Sequence, residues 1–498
     1  MREPKDIFNT AGLDADKLEL LEYLLEEEGI DAALQPDSIL HVERTEALPL
    51  SYTEQQLPLS FAQQRLWFLH QFEPASSAYN MAGALRMVGQ LDVHALSRSL
   101  DEIVRRHESL HTSFVSIGGK PVQVVAPASH LALAIEDLSV LPAAGREAEL
   151  QRLMRREARE PFDLRESPLL RARLLRLSGE EYVLMLVMHH IVSDGWSLGI
   201  FARELAAIYG AYINGQPSPL EELSMQYADF AVWQREHLTG ELLERQLDYW
   251  RRQLSGELPV LELPTGRPRP PVQTFRGATE TFSIPLMLRE ELKELAIEED
   301  ATLFMVLLGA FQLLLWRYTQ QRDILVGTPI AGRTRSELEP LIGCFVNTLV
   351  LRTRLMPEES FRELMRRVRE VCLGGYAHQE VPFERVVEEI APERSLSHAP
   401  LFQVMFALQN APMPAGELPG LKLSLMEPDN EVATFDLSLE MMETPDGLKG
   451  LLHYNTDFFD AAMMARMAGH LRTLLEAVAV SADASIAHLP LLTETELR

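Results

Sequence analysis

Pro259, Pro264, Pro268, Pro270 and Pro271 crowd the stretch from Arg251 to Arg276. A proline lacks an amide hydrogen and fixes its own φ, so this spacing forbids regular structure and reads as an extended connection between two folded halves. The 498 residues exceed what one compact core usually holds, so two lobes behind an N-terminal extension are expected.

Elements alternate along both halves. From Asp14 to Gly29, Leu18, Leu21, Leu24 and Leu25 recur at helical spacing opposite Glu19, Glu22, Glu26 and Glu27, and the pattern dissolves from Gln35 to Gln56 as in a linker. Thr112 to Val125 reads as a hairpin around Gly118-Gly119. A phosphate loop at Lys120 is excluded because Pro121 follows where a magnesium-binding Ser or Thr would stand. In the second half, helical patterns at Met287 to Glu298 and Phe361 to Leu373 alternate with strand-like runs at Asp323 to Gly327 and Val346 to Leu351. Leu303 to Trp316 is the most apolar stretch; it falls short of the roughly 20 residues that cross a bilayer and predicts a buried helix. The fold class is α/β throughout.

Charge and cysteine content exclude several functions. A formal net charge of −27 opposes binding to nucleic acid, which depends on Lys and Arg displacing counterions, and opposes electrostatic membrane binding. Cys344 and Cys372 are the two cysteines, too few for a disulfide framework or a zinc site. No metal is expected. The N-terminal residues lead into no apolar run, so no secretory signal is read. These features fit a cytoplasmic protein.

The chemistry is concentrated in His189-His190-Ile191-Val192-Ser193-Asp194-Gly195. It lies between the apolar run Tyr182 to Met188, of strand length, and a helical pattern from Leu198 to Tyr212. A loop between a strand and a helix sits at the edge of a sheet, where sites are commonly built. Consecutive strand residues point to opposite faces, so His189 and His190 cannot both face one site. His190 is the residue expected to accept a proton from, or orient, an attacking amine. The backbone N–H near Gly195, at the start of the helix, is a candidate donor to an oxyanion, and a glycine there permits close approach. Asp194 reads either as the helix N-cap or as one half of an ion pair with a distant Arg.

These residues, with several further segments in order, resemble the condensation domains of nonribosomal peptide synthetases from about Leu57 onward. His189 to Gly195 matches that family's active-site motif. Ser60-Phe61-Ala62-Gln63-Gln64-Arg65-Leu66-Trp67-Phe68-Leu69 resembles the first motif and Arg106-His107-Glu108-Ser109-Leu110-His111-Thr112-Ser113-Phe114 the second. Tyr227-Ala228-Asp229-Phe230-Ala231-Val232-Trp233, Ile342-Gly343-Cys344-Phe345-Val346-Asn347-Thr348 and His378-Gln379-Glu380-Val381-Pro382-Phe383-Glu384 are similar to the fourth, fifth and sixth. His111 stands where Arg is usual, Cys344 where Phe is common and Glu380 where Asp is common.

The resemblance implies two chloramphenicol-acetyltransferase-like lobes forming a V around a central substrate tunnel. With the helix and linker read above at 1–56, the expected division is an N-terminal lobe at 57–222 and a C-terminal lobe at 223–498 that includes the linker near 251–276. The resemblance also implies amide-bond formation between a donor acyl or peptidyl thioester and an acceptor aminoacyl thioester, both on the phosphopantetheine of donor and acceptor carrier proteins, with no cofactor bound by the domain itself. Catalytic candidates are His190, Gly195, His189 and Asp194. Arg333 and Arg106 are candidate partners of Asp194, with Arg333 preferred. Leu489-Pro490-Leu491-Leu492-Thr493-Glu494 is similar to a linker leading to a downstream adenylation domain. The first motif is similar to domains that join an L-configured donor to an L-configured acceptor. Starter domains, which attach a fatty acyl group to the first amino acid, share these features, and non-catalytic recruitment modules share the fold.

Overall fold

Apolar runs of strand length assemble into three sheets, described by a computed structural model that covers residues 39, 57–265, 267–271, 273–391, 397–409, 418–426 and 432–498. The helix expected at Asp14 to Gly29 lies outside the described residues. In chain order the first half supplies β1 (Leu57–Pro58), α1 (Phe61–Phe72), β2 (Asn80–Gly89), α2 (Val93–Arg106), β3 (Thr112–Ile117), β4 (Lys120–Val125) and β5 (Leu133–Asp137). It continues with α3 (Ala143–Arg159), β6 (Leu170–Arg176), β7 (Glu181–His189) and α4 (Gly195–Ile213). Two helices follow, α5 (Tyr227–His237) and α6 (Gly240–Gln253).

The second half begins with β8 (Gly277–Pro285), α7 (Leu286–Glu298), α8 (Leu303–Thr319), β9 (Asp323–Ile330), β10 (Asn347–Arg354) and α9 (Phe361–Ala377). It ends with α10 (Phe383–Ile390), β11 (Val404–Gln409), β12 (Leu421–Met426), β13 (Leu437–Thr444), β14 (Gly447–Asn455) and α11 (Ala461–Val480). One sheet runs β12-β2-β7-β6-β5, another β10-β9-β11-β13-β14-β8, and a small one β1-β4-β3.

β7 is the middle strand of the first sheet, and its lack of alternation follows from burial on both faces. Val183 and Met185 pack with Leu150, Leu153 and Met154 of α3. Leu184 and Met188 join the core formed with Leu96 and Leu100 of α2 and Ile200, Leu205 and Ile208 of α4. The hairpin read at Gly118-Gly119 is present: β3 and β4 pair antiparallel, and both glycines have positive φ (58° and 81°), as a two-residue turn with the twist of its strands requires.

The apolar run from Leu303 forms α8, whose residues Met305 to Trp316 are all buried against α7, α9, α11 and β9. Gln312, within that run, donates to the Leu351 carbonyl at 3.5 Å. Among the described residues no single helix is long and apolar enough to cross a membrane.

Two expectations change. The proline-rich connection starts later than Arg251, because α6 continues through Gln253 before the first proline, Pro259. The connection is also not bare: Leu261 and Leu263 are buried in the second core, while Arg269 pairs with Asp436 and Arg276 with Asp457. The halves also exchange elements. β12, from the second half, pairs antiparallel with β2 of the first, and Ile342 and Cys344 are buried in the first core.

Candidate active site

β7 delivers two imidazoles into opposite surroundings. His189 is 3% exposed; its Nδ1 accepts the Ile191 N–H at 3.1 Å, and its ring meets Phe162 and His70 edge-on. Burial, helped by neighbouring His190, pushes its pKa down to about 3. The ring is therefore neutral and packed away from the cleft.

His190 opens the short turn after the strand, held by its own N–H donating to the Tyr79 carbonyl at 2.9 Å. Its ring Nδ1 lies 2.8 Å from the Ser193 carbonyl. A carbonyl only accepts, so Nδ1 carries the hydrogen and Nε2 is the acceptor of the neutral ring. The ring lines a pocket of about 130 Å³ together with Arg65, Tyr79, Phe230, Trp233 and Cys344.

Asp194 caps α4 and does more than cap. Its Oδ1 accepts the Ser197 N–H at 2.9 Å and the Ser197 hydroxyl at 2.7 Å. Its Oδ2 accepts the Phe345 N–H at 3.0 Å. Arg333 completes the set with a bidentate pair, 2.8 Å to Oδ2 and 3.2 Å to Oδ1. Burial alone would raise this carboxyl's pKa, but Arg333 and the Ser197 bonds outweigh it and hold the group below the usual carboxylate range. Arg333 is fully buried, stacks over Phe345 at 4.3 Å and donates to the Leu341 carbonyl.

The two readings of Asp194 thus hold together, as N-cap and as ion pair. Arg106 is not its partner. It binds Glu204, further along α4, at 3.2 and 3.3 Å, together with the Glu221 carbonyl. The α2 terminus brings Arg106 alongside the middle of α4, away from its capped end. Gly195 is exposed, and a Cβ built there meets nothing within 4 Å. Its N–H is among the four that a helix start leaves without an intrahelical partner.

Residues without an assigned role complete the junction. Tyr227 donates to the Cys344 carbonyl at 2.6 Å, and Ser60 donates to the Tyr227 oxygen at 2.7 Å. One phenol thereby ties α1, α5 and the segment before β10. Gly343 must be glycine here, since a Cβ would lie 1.9 Å from Tyr227 Cδ2. Asn347 braces the far wall by donating to the Gln379 and Val381 carbonyls and accepting the Phe383 N–H. Arg65 of α1 meets Glu384 of α10 at 3.4 Å across the pocket. Cys344 Sγ lies 3.7 Å from His190 Nδ1, and burial pushes its thiol well above its usual pKa, so it is un-ionised. His111 is a structural residue, buried and bonded through Nδ1 to the Ala126 carbonyl. Among the described residues no group of three His, Cys, Asp or Glu side chains could hold a metal ion.

The family model for the condensation domain matches residues 53–498. The chain belongs to the condensation-domain family. Condensation domains of nonribosomal peptide synthetases are acyltransferases that form amide bonds, and they work with carrier domains on phosphopantetheine-tethered substrates. A linear gramicidin synthase of Brevibacillus parabrevis is 51% identical over 445 residues, 89% of this condensation domain and 6% of that protein. The chain therefore spans a small part of that relative. The X-domain from teicoplanin biosynthesis superposes with a TM-score of 0.80 at 30% identity, covering 92% of this chain and all of the other. The first condensation domain of the calcium-dependent antibiotic synthetase has a TM-score of 0.75 at 24% identity over 88% of this chain and 99% of that one, which bears on the fold alone. The fold is the chloramphenicol-acetyltransferase-like one.

Proposed function

We propose that this domain joins a donor acyl or peptidyl thioester to the amine of an acceptor aminoacyl thioester, each borne on the phosphopantetheine arm of its own carrier protein, with His190 at the reacting centre. The observation that carries this reading is the state of the His190 ring. It lines the pocket between the halves, and its Nδ1 hydrogen is committed to the Ser193 carbonyl. That leaves Nε2 to accept the proton of, or orient, an attacking amine. A free α-amine titrates near roughly 8, so a neutral fraction is already present for Nε2 to orient and the remainder has a proton to lose. Holding both arms at one ring converts a bimolecular encounter into a nearly intramolecular one.

Asp194, through Arg333 and Ser197, fixes the loop that presents His190, and His189 anchors its strand end. A Cβ built at Gly195 would meet nothing within 4 Å, and its N–H, at the start of α4, is the donor assigned to an oxyanion. The lobes are taken as 57–222 and 223–498, with β12 lent back to the first. The domain binds no cofactor of its own, contacts donor and acceptor carriers and a downstream adenylation domain, and binds neither nucleic acid nor membrane. Both cysteines are free and buried, which supports a cytoplasmic setting.

A second reading rests on one observation: the X-domain, alike in fold, forms a complex with OxyB in teicoplanin biosynthesis. A recruitment module on this fold would bind partners without turnover. Loading an acceptor carrier with an aminoacyl group and offering aminoacyl and fatty acyl donors in turn separates the readings. Condensed product above uncatalysed aminolysis supports catalysis, and the donor used separates elongation from starter chemistry. Binding of both carriers with no such product supports recruitment.

A further inference from the structure

The pocket beside His190 has a character of its own. Its floor is apolar and aromatic: Leu66, Phe230, Trp233, Phe345 and Val346 line it, and Cys344 places its sulfur 3.7 Å from the catalytic imidazole. Trp233 is held flat, stacked on His237 at 4.6 Å and covered by Arg335 at 4.8 Å. Glu380 and Glu384 line the same pocket, and Arg65 pairs with the second of these. The volume of about 130 Å³ is close to that of a cavity which admits a benzene-sized molecule.

We propose that this pocket receives the side chain of the amine-bearing acceptor, that it favours apolar and aromatic side chains up to about benzyl size, and that Cys344 sets the size limit. The assignment to the acceptor follows from charge. An α-amine arrives largely as an ammonium, and a pocket with two carboxylates and one guanidinium attracts it, whereas a neutral donor thioester gains nothing from them. An acidic side chain would meet Glu380 and Glu384, and Arg65 is already paired with Glu384, so its charge would be desolvated with little compensation. A cysteine beside the ring leaves room that a larger residue would fill, because a packed pocket rejects added volume steeply. This inference rests on the condensation reading above.

The test uses acceptor carriers loaded with glycine, leucine, phenylalanine or aspartate against one fixed donor, with wild type and Cys344→Phe. In wild type, leucyl and phenylalanyl acceptors should outrun the aspartyl acceptor by roughly tenfold or more in kcat/KM. In Cys344→Phe the glycyl-to-phenylalanyl ratio of kcat/KM should rise at least about tenfold. Both acceptors are measured on one preparation, so misfolded protein or a general slowing at His190 cancels from the ratio. Cys344→Ala should shift the ratio in the opposite direction. A donor series on a fixed acceptor should keep its ranking. An unchanged acceptor ratio in Cys344→Phe, or a change that appears in the donor series instead, overturns the proposal. No turnover of any acceptor by wild type would strike the condensation reading itself.

Discussion

Burial holds the His189 imidazole neutral, with its pKa pushed down to about 3, while an unfolded histidine titrates near 6.5. Between those values the unfolded chain binds a proton that the folded chain refuses, so stability rises with pH across this window. The contribution is fully present above about 6.5 and drains away as pH falls toward about 3, at roughly 1.4 kcal/mol per unit. Melting temperatures measured between about pH 7 and pH 5 should therefore fall for wild type. His189→Asn keeps an acceptor for the Ile191 N–H and cannot titrate, so its slope should be shallower even if its melting point is lower; equal slopes would count against the assignment. Strand alternation separated His189 from His190 in the sequence. What it could not give was the tautomer, because the Ser193 carbonyl that fixes it is placed by the turn geometry. Nor could it show the thiol beside the ring, since Cys344 is 154 residues distant.

At the level of elements, the start of α4 is bound to the segment between β9 and β10. Asp194→Asn would leave the fully buried Arg333 without its counter-charge, and breaking such a pair commonly costs roughly 3–5 kcal/mol. The denaturation midpoint should drop together with activity. Lost activity with an unchanged midpoint would place Asp194 in the chemistry instead. Tyr227→Phe removes two buried hydrogen bonds, leaving the Cys344 carbonyl and the Ser60 hydroxyl short of a partner. Each orphan costs about 1–3 kcal/mol, so a clear fall in the midpoint is expected, and a change within about 0.5 kcal/mol would deny the phenol its tying role. Periodicity revealed β7, α4, the β3–β4 hairpin and buried α8, because each writes its pattern locally. The Asp194 cap was legible for the same reason. The choice of Arg333 over Arg106 was not, for it depends on which element lies against the first turn of α4 and which against its middle.

For the whole molecule, the segments on either side of the prolines are not independent. β12 completes the first sheet, and the segment holding Ile342 and Cys344 fills the first core. No composition shift announces either crossing, since a strand lent to another sheet reads like any other strand. The consequence is a pocket lined from both halves, with His190 from one and Cys344, Val346, Glu380 and Glu384 from the other. The most direct measurement is amide formation by purified, folded His190→Ala with both carriers loaded. A loss of roughly 10²–10⁴ in rate is expected, toward the lower end if orientation dominates, shrinking above the amine pKa if proton removal contributes. Wild-type turnover by that variant would contradict the assignment of His190 and move the reaction centre elsewhere in the cleft.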